Sequence, residues 1–495
     1  MPDFDRAEVV RMLTTHGFNI DPAAVERLLA APDPEAAIEG TLASVPASTI
    51  KITTQHVQQH ARGDHPSVSG GEDGVTVEQA DTSPPETMGG ERGSAGAIST
   101  SGDITGESTG TGTYDDFVDL FRDRYERLSS LLSGRLTHRS THSLGESRSG
   151  TDVGLIGLVS DIRSTRNGHT LLELEDTTGA FPVLVTSDRE VSAPVDTLLL
   201  DEVIGVEGTL SDDGEIVFAD ELYQPDVPRT HQPRTADRHV QAALISDVHV
   251  GSAEFLRDAW EDFASWLHSS EAEAIEYLLI AGDMVEGVGV YPGQADDLTV
   301  VDIYEQYRAF SESLKAVPGD LEIVIIPGNH DAVRRAEPQP AIDDDLAETL
   351  DAHDPTLVGN PSMVEIEGVR ILMYHGVSLD ELVAELPTPD IAYETPHEAM
   401  ITLLKKRHLG PPYGGKIRIA PEKRDYLVID EVPDVFHAGH THTFGVGSYR
   451  GVRVVNSGCW QAQTDFQRRN NLQPDVAHAP IVSLDTLEIT VRKFR

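Results

Sequence analysis

The sequence predicts a layered α/β domain preceded by a small β-barrel and a small N-terminal helical module. From residue 239 onward apolar strands alternate with helical periodicities, the pattern of sheets covered by helices. Between 151 and 228, short β-rich runs are separated by Gly, Asp and Asn turns. Residues 4–30 carry two short amphipathic helical patterns.

In the module assigned to 1–60, Val9, Val10, Met12 and Leu13 form one apolar stripe and Val25, Leu28 and Leu29 a second, with Pro22 just inside the second helix. Residues 61–113 are Gly, Ser, Thr, Asp and Glu with few large apolar side chains. Too little surface can be buried there to offset ordering entropy, so a disordered acidic linker is expected. Phe117, Leu120, Phe121, Tyr125, Leu128 and Leu132 recur at helical spacing and define an amphipathic helix over 114–136, expected to dock on a partner or a neighbouring domain. A second polar linker covers 137–150. The runs 153–162, 169–174, 181–185, 203–209 and 215–222 are the five strands of the barrel at 151–228. In the domain at 239–495, strands are expected at 240–246, 277–281, 321–326, 369–374, 435–438 and 452–456, and helices at 255–267 and 304–317.

Composition narrows the chemistry. No run of 18 apolar residues occurs, and the start lacks a basic segment followed by an apolar one, so a soluble, cytoplasmic protein with no membrane partner is expected. The single cysteine, Cys459, excludes an intrachain disulfide and thiolate zinc clusters. Any metal must be held by His, Asp, Glu and Asn. The net charge is −45, from 83 acidic against 38 basic residues, only seven of them Lys. Bulk charge of that sign opposes nucleic acid, but phosphate affinity follows local basic patches, and repulsion is screened within roughly 3 Å at molar salt. An acidic, Lys-poor surface resembles those of salt-loving archaea, so the acidity is read as evidence of habitat and not of partner.

Chemistry-bearing residues gather at the carboxyl ends of the predicted strands, where open α/β sheets bind ligands. The first strand runs into Asp247-Val248-His249, the second into Gly282-Asp283 and the third into Gly328-Asn329-His330-Asp331. The strand at 369–374 delivers His375, and that at 435–438 delivers Gly439-His440-Thr441-His442, whose imidazoles share a side through their i, i+2 spacing. Alone, an Asp-x-His is a capped turn and a His after a strand is a core or surface residue. Five successive strand ends offering metal-grade ligands point to a metal centre. His437 and His353 have no place in this set and are read as structural.

Together, Asp247-x-His249, Gly282-Asp283, Gly328-Asn329-His330-Asp331, His375 and Gly439-His440-x-His442 resemble the full signature of the calcineurin-like metallophosphoesterases, over roughly 239–460. With the acidic helical module, the linker and a barrel resembling an oligonucleotide-binding fold placed in front, the chain is similar to the small subunits of archaeal D-family DNA polymerases. The resemblance implies two divalent metal ions, with manganese favoured by mixed N/O donors and Mg2+, Zn2+ or Fe2+ as alternatives. Asp247, His249 and His442 would hold one; Asn329, His375 and His440 the other; Asp283 would bridge. His330 would be catalytic, protonating the departing 3′ oxygen with Asp331 in support.

The implied activity is a 3′-to-5′ proofreading exonuclease releasing mononucleotides. The implied partners are DNA 3′ ends, single-stranded or mismatched, a large catalytic polymerase subunit and a sliding clamp. A non-catalytic scaffold subunit and a stand-alone repair nuclease are the alternatives. Protein phosphatases of the superfamily carry Arg after the acidic residue of the second motif and Glu after Asn-His; here Gly287 follows Glu286 and Asp331 follows His330. The basic stretch Lys405, Lys406, Arg407, His408, Lys416, Arg418, Lys423 and Arg424 is a candidate grip on a DNA backbone, with Tyr413 a candidate base-stacking residue. A solvated loop is the other reading. The barrel binds single strands or only packs; its shortage of aromatic and basic residues favours packing.

Overall fold

Strict side-chain alternation along apolar strands builds two sheets with a shared interior. The computed structural model describes residues 96–494, apart from Thr109, Glu146, 189–194, Pro387 and Pro389, together with Asn19–Ile20, Leu28, Lys51–Ile52 and Val75–Gln79. The chain forms two compact units, Met1–Glu72 and Asp73–Arg495. Within the first, Asn19–Ile20 pairs in parallel with Lys51–Ile52. The helical module expected over 1–60 otherwise lies outside the described residues, as does the linker before residue 96 apart from Val75–Gln79.

In the second unit, helix α1 (Tyr114–Ser133) precedes a closed five-stranded barrel: β1 (Asp152–Ser164), β2 (Thr170–Asp176), β3 (Gly179–Val185), β4 (Val203–Leu210) and β5 (Val217–Tyr223), in the order β1-β2-β3-β5-β4. The α/β part then runs β6 (Gln241–Ile245), α2 (Arg257–Leu267), β7 (Ile275–Ala281), α3 (Ile303–Leu314), β8 (Glu322–Ile326), β9 (Ser362–Ile366), β10 (Val369–Met373), α4 (Leu379–Glu385), α5 (Pro396–Lys406), β11 (Val435–Ala438), β12 (Phe444–Tyr449), β13 (Val452–Ser457), β14 (His478–Ser483) and β15 (Glu488–Lys493). One seven-stranded sheet has β8, β7 and β6 parallel at its centre, flanked by β14, β15 and Val75–Gln79 on one side and Thr356–Leu357 on the other. A six-stranded sheet has the order β12-β13-β11-β10-β9 and ends on Ser99–Ser101.

Ala242 and Leu244, Tyr277 and Leu279, and Val324 and Ile326 face the second sheet, meeting Val369, Ile371, Met373, Val435 and Val455. Their neighbours Ala243, Ile245, Leu278, Ile280, Ile323 and Ile325 face Trp260, Phe263, Tyr307 and Phe310 of α2 and α3. On the far side Leu372, Phe436 and Val454 pack on Leu382, Met400 and Leu403 of α4 and α5. The order is therefore helix, sheet, sheet, helix. Strands buried on both faces read as unbroken apolar runs, which is why the central ones were visible in sequence.

Parts of both linkers are built into the fold. From residue 96 the chain follows the α/β part: Ser99–Ser101 adds to β9, Ile104 is buried, and the Asp103 carboxylate accepts the Gly359 amide at 2.9 Å. Composition missed this because an edge strand needs backbone hydrogen bonds, not a hydrophobic stripe. In the stretch expected as a linker at 137–150, Leu144 joins the barrel core and Thr141 bonds to Asp176 through both its amide (2.7 Å) and its hydroxyl (2.6 Å).

Helix α1 is the wedge between barrel and sheets. Leu120 enters the core beside α4 and α5, while Leu128 and Leu132 pack on Ile156 and Val203 of the barrel and on Val428. Among the described residues no helix is long and apolar enough to cross a membrane.

Candidate metal centre

The carboxyl ends of β6, β7 and β8 from one sheet meet those of β10 and β11 from the other, and each delivers the residues expected there. Their backbones are forced into an uncommon shape. Asp247, His249, Asp283, His440 and His442 all have φ between 53° and 70°. A non-glycine residue there costs on the order of 1 kcal/mol or more, and such strain persists where the surroundings over-determine it, typically at functional sites. The neighbouring glycines leave room: a Cβ on Gly328 would lie 2.3 Å from Asp283 Oδ1, and one on Gly439 2.3 Å from Asp247 Oδ2.

Two donor groups result. In the first, His249 Nε2 and His442 Nε2 are 3.0 Å apart, with Asp247 Oδ1 at 3.8 and 3.5 Å from them. In the second, His375 Nε2 lies 3.3 Å from Asp283 Oδ2 and 3.0 Å from Asn329 Oδ1. Asp283 Oδ2 is also 3.7 Å from His249 Nε2, which places this carboxylate between the groups. Asp247 and His375 are themselves close enough to share an ion with Asp283.

The donors fit cations. Asp247 Oδ1 is buried with no hydrogen-bond partner, and the facing imidazole nitrogens of His249 and His442 cannot both keep lone pairs at 3.0 Å without something between them. Burial alone would raise the Asp247 carboxyl, yet His249 and His442 hold it well below the usual carboxylate range. Burial would likewise depress His375, but the Asp283 carboxylate pushes it up to about 10. A divalent ion would supply the positive charge that these carboxylates otherwise draw from the His249 and His375 rings.

The supporting side chains were not legible in sequence. Glu286 Oε2 lies 2.9 Å from His249 Nδ1 and accepts from Gln461 Nε2 at 2.8 Å, fixing the ring with Nε2 toward Asp247. Burial opposes its ionisation, but His249 draws its pKa down to about 2. On the opposite side, Gln467 Nε2 meets His442 Nδ1 at 3.0 Å. His375 Nδ1 is held by the Ala281 carbonyl at 2.9 Å. Each contact sets which ring nitrogen faces the centre, a property that spacing does not encode.

Several expectations need correction. Asp331 does not touch His330: it accepts from Gly328 N at 2.8 Å and Met284 N at 3.4 Å and pairs with Tyr307 Oη at 3.2 Å, while burial and then Asp283 push its pKa up to about 7. The group on His330 Nδ1 is instead the Glu286 carbonyl, at 2.8 Å. His440 joins neither donor group; its ring stands 5.2 Å from that of His375, and its Nε2 turns to Asp380 Oδ2 at 3.4 Å.

Three residues of the basic stretch are structural, while Lys423 and Arg424 stay exposed. Lys406 is buried against Glu202 at 2.7 Å, Arg407 is buried on the carbonyls of Ile429 and Asp430, and His408 is buried on Asp425. Side chains committed to internal partners in this way cannot reach a phosphate. Lys405 lies over the Tyr449 ring, whereas Lys416 and Arg418 remain exposed. Tyr413 is half exposed, with its ring edge-on to Phe117 and Phe121 of α1. His437 and His353 are hydrogen-bonded internally, to Ser457 Oγ and the Leu314 carbonyl.

The family of DNA polymerase alpha/epsilon B subunits matches residues 242–446. A DNA polymerase II small subunit from Halobacterium salinarum is 56% identical over 100% of both chains. One from Archaeoglobus fulgidus is 45% identical, covering 65% of this chain and 66% of its own, and one from Pyrococcus furiosus is 41% identical, covering 68% and 56%.

Proposed function

The chain belongs to the family of DNA polymerase II small subunits, and on that premise we propose that it is the 3′-to-5′ proofreading exonuclease of a replicative DNA polymerase. Membership in a polymerase small-subunit family implies a large catalytic subunit and DNA as partners. We read 239–495 as a calcineurin-like phosphoesterase domain, on the strength of its helix, sheet, sheet, helix order. The barrel at 151–228 is read as an oligonucleotide-binding-type fold, supported by its closed β1-β2-β3-β5-β4 order.

The observation that carries the nuclease reading is the pair of donor groups on either side of Asp283. Asp247, His249 and His442 are suited to hold one cation, and Asp283, Asn329 and His375 a second; mixed N/O donors without thiolate favour manganese. Paired divalent ions supply positive charge that acidifies water and neutralises phosphoryl oxygens. His330 stands beside both groups, its amide donating to Asp283 Oδ1 at 2.8 Å. With its Nδ1 proton committed to the Glu286 carbonyl, a second proton on Nε2 makes the ring cationic. Burial pushes the His330 pKa down while Asp283 pushes it back up, and a bound phosphate would further favour the charged form that passes the Nε2 proton to the departing 3′ oxygen. Asp331 ties the loops after β7 and β8 together and so keeps His330 in place.

The test is manganese-dependent release of mononucleotides from a 3′-mismatched primer-template and from a labelled single strand, in high salt. Release is expected from the native chain and should fall by at least 100-fold in Asp283→Ala and His330→Ala, as for loss of a carboxylate that would hold the ions or of a general acid. Equal release from both variants would assign the activity to a contaminant and overturn the reading.

A further inference from the structure

Both loops that brace the metal centre from outside carry an exposed ring and, close to it, an arginine. After Glu286 the chain turns through Val288, 49% exposed, to Tyr291, 36% exposed, whose ring centroid is 6.4 Å from that of His330. The Tyr291 hydroxyl is tied to Asp297 Oδ2 at 3.1 Å and Glu286 Oε1 at 3.3 Å, so the ring is held in place while remaining open to solvent. Arg335 lies against this loop, donating to the Val290 carbonyl. Across the centre, the short helix Asp465–Arg469 is keyed to His442 through Gln467, and the residue before Gln467 is Phe466, 68% exposed. Arg469 closes that helix on the solvent side.

Neither Arg335 nor Arg469 forms an ion pair among the described residues, although the chain has 83 acidic residues available. Arg468, by contrast, is neutralised by Asp465. An exposed ring with a guanidinium outside any such ion pair beside it, repeated on two sides of one polar cleft, suits a chain of stacked bases joined by phosphates. It does not suit a protein surface, which offers no repeated alternation of flat rings and anions.

We propose that Tyr291 with Arg335 and Phe466 with Arg469 form a two-sided clamp that positions a single-stranded 3′ end, the rings stacking on bases and the arginines meeting phosphates on either side of the bond to be cut. It rests on the reading of the cleft as a phosphodiester site. All four act as positioning residues. Stacking carries much of the grip because molar salt screens charge beyond roughly 3 Å, leaving only contact-range arginine pairs.

Binding of a 5′-fluorescein single-stranded oligonucleotide to the full chain, followed by anisotropy in EDTA, separates the clamp from hydrolysis. Phe466→Ala and Tyr291→Leu are expected to weaken binding roughly ten-fold each, while Phe466→Trp and Tyr291→Phe retain it. Arg335→Ala and Arg469→Ala are each expected to lower the slope of log affinity against log salt by roughly 0.7. Unchanged affinity in both ring variants with an unchanged slope in both arginine variants would overturn the clamp. The native chain assayed with manganese on bis(p-nitrophenyl) phosphate, which has neither bases nor a strand, tests hydrolysis alone. Failure there and on the labelled single strand, with binding lost in Phe466→Ala, refutes the nuclease and leaves only strand binding by the rings standing.

Discussion

Glu286 acts on the candidate metal centre through one nitrogen. By occupying His249 Nδ1 at 2.9 Å it leaves Nε2 as the donor, and it holds a negative charge where burial alone would have removed it. Partners of this kind typically contribute roughly 10–100-fold in metal affinity, so Glu286→Gln is expected to weaken manganese binding by about that factor in a calorimetric titration. Unchanged affinity would show that His249 is oriented by packing alone. The placement of the two donor groups was legible in sequence because each residue follows a strand end, where backbone direction alone fixes position. The residues that orient them were not, since Glu286, Gln461 and Gln467 matter only through contacts made across long sequence separations. Lys406 and Arg407 were misread for a related reason: sequence records their charge but not the carboxylate and carbonyls that bury it.

At the scale of elements, α1 is the clearest case of a segment whose pattern was legible and whose partner was not. Its apolar stripe is explained by the barrel and the α4–α5 face together, but the decisive contact is polar. Arg124 is fully buried, with Nε on Asp425 Oδ2 at 2.6 Å and a guanidinium nitrogen on the Pro411 carbonyl at 2.6 Å. Removing one member of a buried pair leaves the other uncompensated, so Arg124→Ala should destabilise the fold by about 3–5 kcal/mol in denaturant unfolding. A change below about 1 kcal/mol would mean that α1 is held by its leucines alone.

The same contact carries a pH signature. Asp425 also meets His408 Nε2 at 2.9 Å, and the Gly410 amide donates to His408 Nδ1 at 3.0 Å, which fixes the ring as neutral. Burial first, and Arg124 second, push the His408 pKa down to about 4 from an ordinary 6.5. The unfolded chain takes up this proton near 6.5. Stability from His408 is therefore full above that value and is lost progressively as pH falls toward 4. The drop in unfolding midpoint between about pH 7.5 and pH 5 should be smaller in His408→Gln than in the native chain; equal drops would refute the assignment. Strands β9, β12, β14 and β15 escaped the sequence reading because polar or strand-weakening residues interrupt their apolar runs, such as Glu365 in β9, Gly445 and Gly447 in β12, Pro480 in β14 and Arg492 in β15.

For the molecule as a whole, a charge of −45 is a self-repulsion that the fold must contain. Screening lengths shrink from about 10 Å at 0.1 M to about 3 Å at 1 M salt, so the unfolding temperature should rise steadily across that range. A flat profile would show that the acidic side chains are compensated locally. The helix, sheet, sheet, helix architecture brings parallel strand ends from both sheets to one cleft, and sequence alternation predicted the layers without revealing that two separate sheets, not one, supply the candidate donors. The central claim is that this cleft holds two cations. Anomalous diffraction at the manganese edge from crystals grown with that ion tests it directly. Two peaks are predicted, one among Asp247, His249 and His442 and one among Asp283, Asn329 and His375; an ordered cleft without anomalous signal would contradict the account.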